Sequence, residues 1–244
     1  MGETRLIPIE GIPFIVAGDD IAVLIYEACR RNALSIEDGD IIVIAQKIIS
    51  KAENRIVSLQ SIIPSEKAIE LANQTGRDPR AVQVYLDEAS EILFIKGKMI
   101  ITKHRLGFKM SNSGVDSSNV APWEERIVSL IPEDPDKSAR KVRDSIRQII
   151  EKNVAVIIND SCGRDERDGS VGMAIGIAGI SPLECRNQTD MFGNHSGSRI
   201  ALIDELAAAA SILMGQADEK IPVVIIRGVS YTIDNQADIT RILN

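Results

Sequence analysis

Apolar and polar positions alternate between two periods along this chain. Runs rich in Ile, Val and Leu at 5–9, 41–45, 92–95, 99–102, 154–158, 173–180 and 221–226 read as strands, most of them buried. Pro8 places the first at a sheet edge, because proline cannot donate to a ladder. Lys96-Gly97-Lys98 reads as the turn between a pair of strands. Between these runs the period lengthens. Ile21, Leu24, Ile25 and Ala28 line one face of a helix capped by Asp19 or Asp20 and running to about Asn32. Ser65 opens a helix ending near Thr75-Gly76, and Asp78-Pro79 opens another ending near Ala89. Ala139, Val142, Ile146 and Ile149 form the stripe of a helix that follows 132–136 and reaches about Asn153. Asp204-Glu205 starts an alanine-rich helix that stops at Met214-Gly215, where glycine suits the cap.

The chain is organised around 154–180. The strand at Val154–Ile158 is expected to stop at Asn159-Asp160-Ser161. Gly163 and Gly169 then bracket a loop carrying Arg164, Asp165, Glu166, Arg167 and Asp168. Two readings stay open: a charged surface turn, or a site built at the end of a rigid element. Gln46, Lys47, Ser50 and Lys51 directly follow a buried strand, so the lysines are either solvated or grip phosphate as point charges. The loop 111–120 is nearly all turn formers, and Asp116 is its single charge. Flanking hydroxyls and amides suit a hard, oxygen-ligated cation. The stretch after Ile180, around Asp190-Met191-Phe192-Gly193, reads as irregular.

Composition narrows the classes. The 244 residues suffice for one large or two small domains, and with 44% hydrophobic but only 3% aromatic residues the core must be aliphatic. A net charge of −7 argues against general binding to nucleic acid or anionic membrane. The three cysteines lack C-x-x-C spacing, so neither a disulfide framework nor a zinc site is expected and the cytosol is the natural location. Cys162 reads as a small buried residue rather than a reactive thiol. No run approaches the 18 apolar residues of a membrane span, and the first residues fit neither a signal peptide nor a myristoylation pattern. G-x-x-x-x-G-K-[ST] and G-x-S-x-G are both missing, which excludes a P-loop and a nucleophile elbow.

Four stretches, GDIIVIAQKIISKAE (39–53), SNSGVDSSNV (111–120), NDSCGRDERDGSVGMAIGIAG (159–179) and LMGQADEKIPVVIIRG (213–228), together resemble the coenzyme F-420-0:L-glutamate ligase family. PEDPDKSARKVR (132–143) fits as well, so the likeness spans the chain in order. The resemblance implies an α+β fold with a curved mixed or antiparallel sheet. It implies one catalytic unit over 1–244, in a two-part subunit that forms an intertwined homodimer. It implies GTP, Mg²⁺ or Mn²⁺, with K⁺ as a further ion, and γ-linked addition of L-glutamate to the deazaflavin coenzyme F-420-0. Asp116 and Asp160 are implied metal ligands, with Ser161 and Gln216 around a second metal. Gly11, Ile12, Pro13, Phe14, Gln46, Lys47, Lys51 and Asn119 are implied to line the nucleotide. Met214, Gly215, Gln216, Ala217, Asp218, Glu219, Lys220 and Ile221 form a further implied nucleotide loop.

The chain departs from the family pattern in places. Ser161 stands where threonine is usual, and Ser111 and Ser113 replace alanines. Leu106 replaces a common histidine, and Gly193-Asn194-His195-Ser196 replaces a Gly-Arg-x-Leu pattern. Ser161 keeps a hydroxyl; the other changes bear on the acceptor. The expected chemistry is attack of the acceptor carboxylate on the γ-phosphorus of GTP, then displacement of phosphate by the glutamate amine. No general base stands out. A ligase for a folate- or pterin-like acceptor and a non-catalytic nucleotide- or metal-binding protein remain as alternatives.

Overall fold

The computed structural model describes residues 2–164 and 167–243. Its largest sheet has five strands in the order β1 (Arg5–Pro8), β12 (Val223–Arg227), β2 (Ile41–Ala45), β8 (Ala155–Arg164) and β9 (Arg167–Ala178). Strands β2 and β8 pair in parallel and the other pairs are antiparallel. The middle strands bury nearly every side chain, which requires cover on both faces. Helix α6 (Leu202–Met214) packs across all five strands. Helix α5 (Pro135–Ile150), with α1 (Ile21–Arg31) against it, covers β8 and β9 from the other face. Asp20 caps α1 and Asp134 caps α5, each accepting backbone N–H bonds of the first turn.

A second apolar cluster holds Leu71, Val82, Tyr85, Ile100 and Leu130. It is built from α3 (Glu66–Thr75), α4 (Pro79–Glu88) and the short ladder of β3 (Ile56–Ser58) with β7 (Ile127–Ser129). The sheet β4 (Ala89–Lys96), β5 (Met99–His104), β6 (Lys109–Ser111) completes it. The buried carboxylate of Glu88 receives Arg55 at 3.1 and 3.0 Å and Arg105 at 3.2 Å. His104, with no exposed surface, takes an N–H bond from Leu106 on Nδ1, so its Nε2 donates to Glu88 at 3.3 Å. Burial would raise the Glu88 pKa, but His104, Arg55 and Arg105 outweigh it and hold the carboxyl at about 2.

The expected helices and the buried strands of the central sheet are present within a few residues of their expected ends. Two segments differ. The strand from Val154 does not stop at Asn159. It runs as β8 to Arg164 and stays paired with β9 as far as Arg164 opposite Arg167, with register shifts at Ile158–Asn159 and at Gly163–Arg164. The ladder satisfies the backbone of the polar residues, so polar side chains there do not break the chain. Gly163 and Gly169 therefore lie in a hairpin, whose Asp165 and Glu166 fall outside the described residues. The stretch after Ile180 likewise forms a hairpin, β10 (Glu184–Thr189) with β11 (His195–Ile200). Outside β10's undescribed side chains its residues are mostly exposed, which removes the period-2 signal by which strands are recognised. Among the described residues no helix is long and apolar enough to cross a membrane.

Candidate active site

The parallel pair creates the site. Ala45 lies opposite Asn159, so β2 and β8 deliver their following residues to one edge of the sheet. On the β2 side the chain turns directly into α2 (Gln46–Ala52). Gln46 points inward, donating to Ser50 Oγ at 2.6 Å and to the Leu130 carbonyl at 2.9 Å. Lys47, one residue on, faces the Asp116 loop. Its ammonium donates to Asp116 Oδ2 at 2.8 Å and to the Ser118 carbonyl and hydroxyl at 2.6 and 2.9 Å.

That loop is rigid for local reasons. Asn112, Ser113 and Gly114 are three successive left-handed residues, with φ of 52°, 53° and 66°. Asn112 Oδ1 accepts from the Ile100 N–H, and Ser113 Oγ donates to the Tyr85 carbonyl at 2.6 Å. Ser113, one of the departures from the family pattern, is thus buried structure and does not face a ligand. A Cβ on Gly114 would sit 2.5 Å from Ile131 Cδ1. The chain then exchanges backbone bonds between Asp116 and Ser129, fixing the carboxylate's origin. Burial would raise the Asp116 pKa, yet the Lys47 charge and the Ser118 N–H and hydroxyl hold it below the ordinary range.

The fourth motif closes the cluster from α6. Ser161 Oγ donates to Gln216 Oε1 at 3.0 Å. Lys51 donates to the Asn119 carbonyl at 2.7 Å, and Asn119 Nδ2 donates to the Ala217 carbonyl at 2.7 Å. Burial and the neighbouring Lys47 charge lower the Lys51 pKa. Gly215 (φ 66°) and Lys220 (φ 58°) bend the loop so that Glu219 accepts from the Ala217 N–H at 2.8 Å. Asp160 follows Asn159, whose amide donates to Ser211 and to Met214 Sδ. Burial, with Asp116 adding to it, pushes the Asp160 pKa up to about 6, against the opposing Ser161 N–H bond and Lys47.

Not every sequence candidate joins this cluster. Gly11, Ile12, Pro13 and Phe14 lie between β1 and α1, where Arg31 donates to the Gly11 carbonyl and Phe14 is 93% exposed. Among the described residues no hydrogen bond ties this segment to Lys47 or Asp116. Asp218 and Glu219 are exposed, and Ile221 is half-buried at the approach to β12. Asn194 spends its bonds on Asp190 within the tip of the β10–β11 hairpin. Cys162 is buried and its thiol pKa is pushed far up by burial, which leaves it inert. Ser118 was not singled out by the sequence. An Asx-type bond from its N–H to Asp116 Oδ1 at 2.7 Å is its structural signature, and an Asp-x-Ser spacing is its only trace in the chain.

Among the described residues no three His, Cys, Asp or Glu side chains converge on a point. The donors present are two carboxylates, a hydroxyl and an amide oxygen. They are hard oxygen ligands of the kind Mg²⁺ or Mn²⁺ takes when phosphate oxygens and water complete its shell. The Lys47 ammonium already rests among three oxygens of Asp116 and Ser118, so this pocket accommodates positive charge. The donor chemistry therefore fits a divalent ion held jointly with a phosphorylated ligand.

Residues 11–228 match the family described as F420-0:Gamma-glutamyl ligase. A coenzyme F420:L-glutamate ligase of Methanothermobacter thermautotrophicus is 46% identical over 228 residues, covering 93% of this chain and 89% of the relative. The enzyme of the same name from Methanocaldococcus jannaschii is 48% identical over 202 residues, 82% of this chain and 80% of its own. That from Archaeoglobus fulgidus is 40% identical, with 93% and 88% covered. With the match extending from the Gly11 turn through the Gln216 loop, the chain belongs to the F420-0:gamma-glutamyl ligase family.

Proposed function

We propose that this protein is a GTP- and divalent-metal-dependent ligase that joins L-glutamate, through its amine, to a carboxylate of coenzyme F-420-0, toward a γ-linked glutamyl tail. The observation that carries the reading is the contact set Lys47–Asp116, Lys51–Asn119–Ala217 and Ser161–Gln216, which gathers all four family motifs at one end of β2 and β8. It assembles anion-binding cations and hard oxygen donors within one cluster.

Bound there, Mg²⁺ or Mn²⁺ held by Asp116, Asp160, Ser161 and Gln216 would neutralise phosphate charge. Lys51 and Lys47 supply fixed positive charge to the nucleotide's phosphates. The Met214–Ile221 loop and Asn119 line the nucleotide, joined to each other by the bond from the Asn119 side-chain amide to the Ala217 carbonyl. The acceptor carboxylate attacks the γ-phosphorus, the bond to the β-phosphate oxygen breaks, and GDP leaves. The glutamate amine then attacks the acyl phosphate carbon. Inorganic phosphate departs, and the amine's proton passes to solvent or phosphate. Placement of the amine against the acyl group is the main task left to the protein.

Incubation of the purified protein with GTP, Mn²⁺, glutamate and F-420-0, read by product mass, tests the reading. A product heavier by one glutamyl residue, with one GDP per bond, is expected. Glutamylation of a folate with F-420-0 left untouched would keep the ligase chemistry and discard the named acceptor.

A further inference from the structure

A cavity of about 620 Å³ opens beside Asp116, on the side of the second apolar cluster. Asp116 and Ser117 line it, whereas Lys47, Lys51, Asn119 and Gln216 do not. The cavity thus meets the cluster at one shared carboxylate and is otherwise distinct from the nucleotide side. Its size falls within the roughly 300–1,000 Å³ of sites that enclose a drug-sized ligand, several times what a free amino acid fills.

Its walls are of two kinds. Leu59, Val115 and Val128 present aliphatic surface, the sort that takes a flat ring. The cations Arg77, Lys98 and Arg126 line it as well. Two carboxylates also line the space, but each is engaged elsewhere: Asp78 by Arg80 at 2.7 Å and Asp116 by Lys47 at 2.8 Å. Arg77 is fixed in the wall because its Nε donates to the Lys98 carbonyl at 2.8 Å. That bond ties the loop between α3 and α4 to the β4–β5 turn, so two separate elements hold one basic rim. Tyr85 of α4 lines the same space as Arg77 and Asp116.

We infer that this cavity is the acceptor site: it takes a large, ring-bearing anion, with the phosphate or carboxylate of its linker on Arg77 and Lys98 and its reacting carboxylate toward Asp116. The assignment rests on the ligase reading above. It moves acceptor recognition away from the Gly193–Ser196 hairpin tip, whose polar groups close on Asp190. Glutamate, small and without a ring, leaves the aliphatic wall unused.

The test is equilibrium dialysis of F-420-0 against wild type, Lys98→Glu and Arg77→Gln, alongside KM values for F-420-0, glutamate and GTP. Lys98 sits exposed in a hairpin turn, so its reversal leaves folding intact even where the Arg77 variant does not. At least tenfold weaker F-420-0 binding in Lys98→Glu, a matching rise in its KM, and GTP and glutamate KM values within twofold of wild type are expected. A wild type that binds F-420-0 with the same affinity as Lys98→Glu overturns the site and leaves the ligase reading standing. So does a change confined to the glutamate KM. A wild type that neither binds nor glutamylates F-420-0 overturns the ligase reading and this assignment together. Binding without turnover, lost in Lys98→Glu, discards the reaction and supports the site.

Discussion

Replacement of Glu88 by glutamine should destabilise the protein in a manner that pH exposes. Glu88 is 9% exposed and accepts from Arg55, Arg105 and His104. Its pKa falls from an ordinary 4.5 to about 2 on folding. At ~1.4 kcal/mol for each tenfold in proton affinity, that corresponds to about 3 kcal/mol at neutral pH. Because the folded value is the lower one, the stabilisation is complete above about pH 5. It disappears as pH falls through 4.5 toward 2. Arg55 and Arg105 retain side-chain exposures of 21% and 33%, so water can partly solvate them once the charge is gone. The loss should therefore lie at about 2–3 kcal/mol, below the most severe cases of a broken buried pair. Urea unfolding of both proteins from pH 7 to pH 2 measures it. The gap between wild type and Glu88→Gln should close steadily with acidification, at an unchanged m-value. A gap under about 1 kcal/mol at pH 7, or one indifferent to pH, would refute the electrostatic account.

Other substitutions probe the site and its support. Lys51→Ala should cost about 1.5–3 kcal/mol of GTP binding by calorimetry, the scale of a charged hydrogen bond; an unchanged affinity returns Lys51 to a role in holding Asn119 alone. Asp160→Asn should abolish turnover without lowering the melting temperature, and near-normal activity at saturating Mn²⁺ would sink the metal assignment. Gly114→Ala should destabilise by about 1–3 kcal/mol, from its positive φ and the contact with Ile131; an unchanged melting curve would show that the loop adapts. The protein should scatter light as a homodimer at micromolar concentration, its exposed Phe94, Ile95, Met191 and Phe192 being covered by the second copy; a monomer mass excludes this.

Much of the fold was legible because its signals are local. Asp20, Ser65 and Asp78 each cap the helix that follows, and a cap needs only the residues beside it. The aliphatic runs of β2 and β12 announce burial on both faces. The far half of β8 and the β10–β11 hairpin were illegible for the opposite reason, since their partners rather than their side chains make them strands. In the site, Lys47, Lys51, Asp116, Asp160, Ser161 and Gln216 stood out in the motifs, but their convergence depends on the β2–β8 register. Nothing local marks Arg77 or Lys98, because their shared cavity is formed by elements distant along the chain.

The position of β12 sets a timetable for synthesis. This strand, at Val223–Arg227, lies between β1 and β2, and Arg227 grips Asp40 across 187 residues of sequence. Until it emerges from the ribosome, β1 and β2 have no common neighbour and the apolar edge of Ile41–Ala45 stays open. Strand β8 can join β2 earlier, and the second apolar cluster can form on its own schedule from residues translated before it. Closure of the central sheet is thus a late step. A nascent chain stalled before Val223 would carry an unpaired hydrophobic strand edge, the feature that chaperones bind and aggregates nucleate on.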